Sequence, residues 1–304
     1  MTFSFSDFAA ALKAGARISA DDVLAVRRWV WPDGAVSDAE ADAVFELNRL
    51  ARDLAPEWAA FFIEAMTDYV VNGRAPHGYV DDAKANWLIG QVDRDGLLID
   101  AAELELVVKV LEKALNCPAP LKAWALRQIE AAVLGGDGPG VIDEAEVKLL
   151  RRIIFAGGGD GALVVSADEA EMLWRLKDNC RHAANAESWK TLFVQAVGNH
   201  LMAYSSYQPL DSTEARRLDA FMGDHRSSVL GFLARMRAAN PVEAARSLLD
   251  DAKKPETDHD GAVAAARAVT PGEDRWLQAR ILADGARDPL EEALLAFIAE
   301  ESGR

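Results

Sequence analysis

Apolar residues in this chain recur at helical spacing, in blocks separated by short polar turns. Val23, Val26 and Val30 stand three and four residues apart. Trp58, Phe61, Phe62, Ala65, Met66 and Tyr69 extend the same rhythm into a wide stripe, which predicts a helix buried over one broad face. The blocks come in threes. A helix opens at Ile18-Ser19 and is stopped by Trp31-Pro32-Asp33-Gly34, since proline cannot continue a helix and Asp-Gly favours a turn. A second opens at Val36-Ser37 and carries Val44, Leu47 and Ala51, and a third follows Pro56. The succession returns with Leu88, with Leu104, Val107, Val108 and Leu111, and with Leu121, Trp124, Ile129 and Val133. It returns again with Val147, Leu150, Ile153 and Ile154, with Met172, Leu173 and Leu176, and with Trp189, Leu192, Phe193 and Leu201. Gly161–Val165 is the one short β-like piece, and it lies beside a turn. The pattern predicts an all-α fold.

The openers Ile18, Val80, Ile142, Leu210 and Val269 are spaced 62, 62, 68 and 59 residues apart. A fixed period of this size predicts tandem three-helix repeats of about 60 residues, packed as a helical array. Residues 1–136 hold two N-terminal repeats starting at 18 and 80, and 137–208 hold the third. Residues 209–304 hold two degenerate repeats starting at 210 and 269, expected as a separable C-terminal lobe. Trp58-Ala-Ala-Phe-Phe-Ile resembles Trp189-Lys-Thr-Leu-Phe-Val closely enough to indicate duplication, and the glycine run at 135–140 marks a boundary. Trp58, Trp124 and Trp189 are expected at equivalent core positions. Residues 3–15, with Phe3, Phe5, Phe8 and Leu12, read as a short helix docked on the first repeat.

Charge narrows the partners. The net charge is −16, from 49 acidic against 33 basic residues, which repels phosphate backbones and argues against nucleic acid. No apolar stretch approaches the roughly 20 residues that span a bilayer, and no secretory signal is visible, so a cytoplasmic location is expected. Two cysteines, Cys117 and Cys180, cannot build a disulfide framework. A zinc set of Cys180, His182 and His200 has no further ligand marked by spacing. No nucleophile motif, Walker loop or His-Glu-x-x-His is present, so no enzyme is expected.

The repeated acids carry the remaining chemistry. Ser37-x-x-Glu40, Asp100-x-x-Glu103, Asp143-x-x-Glu146, Ser166-x-x-Glu169, Asp211-x-x-Glu214 and Thr270-x-x-Glu273 have capping-box spacing. In that motif the first side chain accepts from the third helical N–H and the carboxylate returns to the cap N–H, contributing about 1 kcal/mol per cap. The rival is metal. Asp33-Gly34, Val36 and Glu40 fall where the latter half of an EF-hand loop places its ligands, and Asp93, Asp95 and Glu103 come close to that register. With Asp160 and Glu169 these residues form the candidate set for calcium or magnesium, although helix starting is the stronger reading for each.

The phrase Asp33-Gly-Ala-Val-Ser-Asp-Ala-Glu40, set between apolar helices, resembles the tellurite-resistance TerB-like family. That resemblance implies a small all-helical domain with acidic turns, and a role in metal binding and stress response. The sequence therefore supports two functions. The first is a non-enzymatic helical-repeat scaffold whose acidic surface binds a protein partner through a basic segment, with no cofactor. The second is a TerB-like divalent-cation-binding protein.

Overall fold

The computed structural model describes residues 4–32, 34–51, 53–93, 100–135, 140–156, 164–202, 216, 271–281 and 287–301. Every regular element among them is an α-helix. In order these are α1 (Phe5–Lys13), α2 (Ala20–Val30), α3 (Asp38–Leu50), α4 (Pro56–Asn72), α5 (Asp82–Val92) and α6 (Ala101–Lys113). Then come α7 (Ala119–Gly135), α8 (Glu144–Ile154), α9 (Ala167–Asn179), α10 (Glu187–Met202), α11 (Pro271–Ile281) and α12 (Pro289–Glu301). The all-α expectation holds. The unit expected to open at Leu210 lies outside the described residues, as does the opener Val269.

Helix starts explain where the chain turns. Ile18, Val80 and Ile142 are buried, and each ties its own helix start to the start of the helix two further on. The Ile18 N–H donates to the Asp53 carbonyl at 3.0 Å, and the Ala55 N–H donates back to the Ile18 carbonyl at 2.9 Å. Val80 donates to the Asn116 carbonyl at 3.1 Å. Ile142 donates to the Asn185 side-chain Oδ1 at 2.8 Å, while the Ala186 N–H donates to the Ile142 carbonyl at 2.8 Å. These pairings satisfy backbone groups that would otherwise be buried without partners.

The broad apolar stripes do what their width predicts. Helix α4 packs on α2 and α3, α7 on α5 and α6, and α10 on α8 and α9. Each of these three also lies against a later helix: α4 on α6, α7 on α9, and α10 on α12. Buried apolar side chains form one continuous core from Ala9 in α1 to Leu294 in α12. At the near end α1 packs on α3, and Phe5 stacks on Trp29 with ring centroids 5.7 Å apart.

Trp58, Trp124 and Trp189 are all buried, but they are not equivalent. Trp58 and Trp189 are the third residues of α4 and α10, whereas Trp124 is the sixth of α7, one turn further along. Leu121 fills the corresponding place in α7, whose start follows α6 after the same five-residue gap that separates α4 from α3.

At the far end α12 comes close to α10 at Gly198. A Cβ added there would lie 2.5 Å from Phe297 Cε1. Gly198→Val is therefore expected to cost about 1–3 kcal/mol through overpacking. Gly90→Ala in α5, where a Cβ meets nothing within 4 Å, should instead gain up to about 1 kcal/mol. Urea midpoints of the two variants check both signs.

Candidate functional site

The turn acids start helices. Ser19 caps α2 with Asp22, Ser37 caps α3 with Glu40, Asp100 caps α6 with Glu103, Asp143 caps α8 with Glu146, and Ser166 caps α9 with Glu169. In each, both reciprocal hydrogen bonds are present, so the carboxylate is engaged by a backbone N–H at the positive end of the helix dipole. Glu40 Oε2 accepts from the Ser37 N–H at 2.8 Å, and Glu169 Oε2 from the Ser166 N–H at 2.8 Å. Asp81 caps α5 alone, with Lys84 where the other boxes carry an acid. Asp93 takes a different role: its Oδ2 accepts the Trp124 indole N–H at 3.0 Å.

The described members of the candidate metal set fall in separate turns. Glu40, Glu103 and Glu169 sit on three different helices, and Asp93 ends a fourth. Asp33, Asp95 and Asp160 lie outside the described residues. Among the described residues no group of three or more His, Cys, Asp or Glu is placed to share an ion. Cys117 and Cys180 are both buried, and burial pushes the Cys117 thiol up to about 12. His200 Nδ1 lies 3.0 Å from the Val165 carbonyl, a backbone contact at the helix flank.

A second set of acids joins helices instead of starting them. Asp42, Glu105 and Glu171 each stand five residues after the cap of their helix. Asp42 Oδ1 accepts from Trp87 Nε1 at 3.0 Å and from Gln91 Nε2 at 2.7 Å, both on α5. Glu105 receives both terminal guanidinium nitrogens of Arg152 on α8 at 2.8 Å, and Glu112 takes its Nε at 2.6 Å. Hydrogen bonding by Arg152 holds the Glu112 carboxyl below its usual range. Glu171 pairs with Arg280 on α11 and accepts from Trp276 Nε1 at 3.4 Å. Asp42 and Glu105 each grip the first helix of the succeeding group, and Glu171 grips α11.

The densest charge cluster lies at the C-terminal end. Lys177 of α9 is only 1 % exposed, and its Nζ lies over the Trp174 ring, 4.7 Å from the centroid. The same ammonium pairs with Asp288 Oδ2 at 2.8 Å, with Glu291 Oε1, and with Asp178 Oδ1 at 3.2 Å. Asp288 and Glu291 are themselves a capping box for α12, and both are buried. Burial works against the charged lysine, but the hydrogen bonds that it donates to Asp288 and Glu291 override it and hold the ammonium above its usual range. Burial likewise opposes the Asp288 carboxylate, and Lys177 outweighs it and lowers the group.

Nothing in the sequence singles out Lys177, and the cap at Asp288 is not among the capping boxes read from it. The Asp288-x-x-Glu291 spacing was the available signal. The five-residue offset of Asp42, Glu105 and Glu171 from their caps was another.

No family model, curated protein or solved structure matches this chain.

Proposed function

We propose that the chain is a non-enzymatic array of three-helix units, α2–α4, α5–α7 and α8–α10, completed by the incomplete unit α11–α12, and that it serves as a protein-interaction scaffold. The observation that carries this reading is the recurrence of one junction. An acid five residues past the cap of each unit's second helix holds the first helix of the next, at Asp42–Trp87, Glu105–Arg152 and Glu171–Arg280. Units joined in one way along a line present a long surface that a partner can span.

The net charge of −16 favours a basic segment as that partner. Asp21, Asp82 and Glu144 are exposed acids in the first turns of α2, α5 and α8, available to meet it. The test is affinity capture with the full chain, read for a stoichiometric partner rich in Lys and Arg. Its binding should fall at least tenfold between about 50 and 200 mM salt, and again when the three acids become Asn, Asn and Gln. A partner indifferent to both changes defeats the acidic-surface part of the reading.

The TerB-like cation reading would draw on Asp33, Glu40, Asp93, Asp95, Glu103, Asp160 and Glu169, and it makes a different prediction. With Glu40, Glu103 and Glu169 held as caps and Asp93 held by Trp124, millimolar calcium or magnesium should leave the melting temperature unchanged against chelator. A rise of several degrees would favour cation binding, because a ligand of the native state stabilises it by mass action.

A further inference from the structure

We propose that the cavity between α4 and α6 at Thr67 is a binding pocket for a small hydroxylated aromatic acid, one ring with a hydroxyl at one end and a carboxylate at the other. The inference goes beyond the scaffold reading and does not depend on it. The first observation is a pair of helix positions that recurs three times. The twelfth residue of α7 is Glu130 and the ninth of α9 is Arg175, and they join through two hydrogen bonds at 2.8 and 2.6 Å. The twelfth of α10 is Gly198 and the ninth of α12 is Phe297, whose ring takes the space a Cβ would need. The twelfth of α4 is Thr67 and the ninth of α6 is Lys109. Here the pair does not close. Lys109 Nζ donates to Glu112 Oε2 of its own helix at 2.8 Å, and both residues line a cavity of about 410 Å³.

The second observation is the hydroxyl in that cavity. Thr67 is 9 % exposed, and its Oγ1 is buried with no hydrogen-bond partner among the described residues. A hydroxyl buried without a bond costs free energy that one polar atom of a ligand would recover. Ile63 and Val71 line the cavity one turn to either side of Thr67. A mostly apolar recess of a few hundred Å³ with few polar groups is the usual form of a small-molecule site. The closed junction of α10 and α12 shows what size of body fits these positions, since a single aromatic ring fills it.

The third observation is charge. On the α4 side, Glu64 takes the Arg27 guanidinium through both oxygens at 2.6 and 2.7 Å, and Asp68 accepts from Asn72 Nδ2 at 3.0 Å. Lys109 is engaged by Glu112. Lys113, exposed at the end of α6, lines the same cavity and makes no ion pair among the described residues. The charge it lacks is an anion. Ring, buried hydroxyl and rim ammonium together select a hydroxyl seated at Thr67 and a carboxylate left at Lys113.

Titration of the full chain with 4-hydroxyphenylacetate, followed by its amide resonances, tests the pocket. Phenylacetate lacks the hydroxyl and p-cresol lacks the carboxylate, and each should bind wild type about tenfold more weakly. Thr67→Val keeps the shape and removes the hydroxyl, so it should erase the preference over phenylacetate while phenylacetate itself binds as before. Lys113→Gln should erase the preference over p-cresol in the same way. Lys109→Phe supplies the ring that Phe297 supplies to α10, and should abolish binding of all three ligands without lowering the melting temperature. No binding of 4-hydroxyphenylacetate to wild type at about 10 mM, or binding that all three variants leave unchanged, overturns the pocket.

Discussion

Lys177→Met is expected to lower stability by about 3–5 kcal/mol, because it takes the close cation from buried Asp288 and Glu291 and leaves Asp288 only the Arg181 guanidinium at 3.9 Å. A methionine of similar length fills the volume, so the loss reports charge and not a cavity. Replacing all three groups together, as Lys177→Met with Asp288→Asn and Glu291→Gln, should recover most of the loss. Well-packed neutral side chains in place of a buried ion cluster often come close to neutral. Asp288→Asn keeps a capping acceptor, so the α12 start survives in that variant. The pH dependence has a definite sign. The folded carboxyl of Asp288 lies below its ordinary value, so its contribution is present above about pH 4 and is lost as pH falls through the lowered value. Chemical denaturation over a falling pH series should show the gap between Lys177→Met and wild type narrowing as pH passes through that lowered value.

Trp58→Ala is expected to cost about 3–5 kcal/mol, the range for deleting a fully buried aromatic side chain. A more discriminating comparison is Trp58→Phe against Trp189→Phe. The two tryptophans occupy the same place in α4 and α10, and both are buried. Trp58 Nε1 donates to Asn48 Oδ1 at 2.8 Å, so phenylalanine leaves a buried amide oxygen without its donor. Among the described residues Trp189 Nε1 finds no hydrogen-bond partner; the side chain eleven past the cap of α9 is Lys177, which pairs with Glu291 of α12. Removing that N–H takes away an unsatisfied donor instead of a bond. The bulk lost is the same in both, so Trp58→Phe should be worse than Trp189→Phe by about 1–3 kcal/mol. Equal losses would mean that the Asn48 bond contributes nothing.

What could be read from the sequence was local. The helix periodicity and the capping boxes at Ser37, Asp100, Asp143 and Ser166 each depend on residues a few positions apart, and each formed as the spacing implied. The Asp-Gly turns admit both a cap and a cation reading, because half of an EF-hand register and a helix cap use the same acid at the same offset. Trp124 falls one turn beyond the place of Trp58 and Trp189, since Leu121 holds the third position of α7. The Lys177 cluster was hidden for a different reason. Its partner Glu291 is 114 residues away, and a lone lysine in a helix reads as a solvated face. The joining acids fell between these cases: Asp42, Glu105 and Glu171 share an offset visible in the sequence, but only packing tells a joining acid from an ordinary surface one.

The stacking of α11–α12 on the third unit is tested most directly by a double-mutant cycle between Lys177→Met and Glu291→Gln, read as unfolding free energies of the full chain. If the two side chains meet as described, the coupling energy should reach about 2–3 kcal/mol, near the top of the range for contacting pairs. Losses that add within about 0.5 kcal/mol would mean the two do not touch in solution, and would contradict the order of the array.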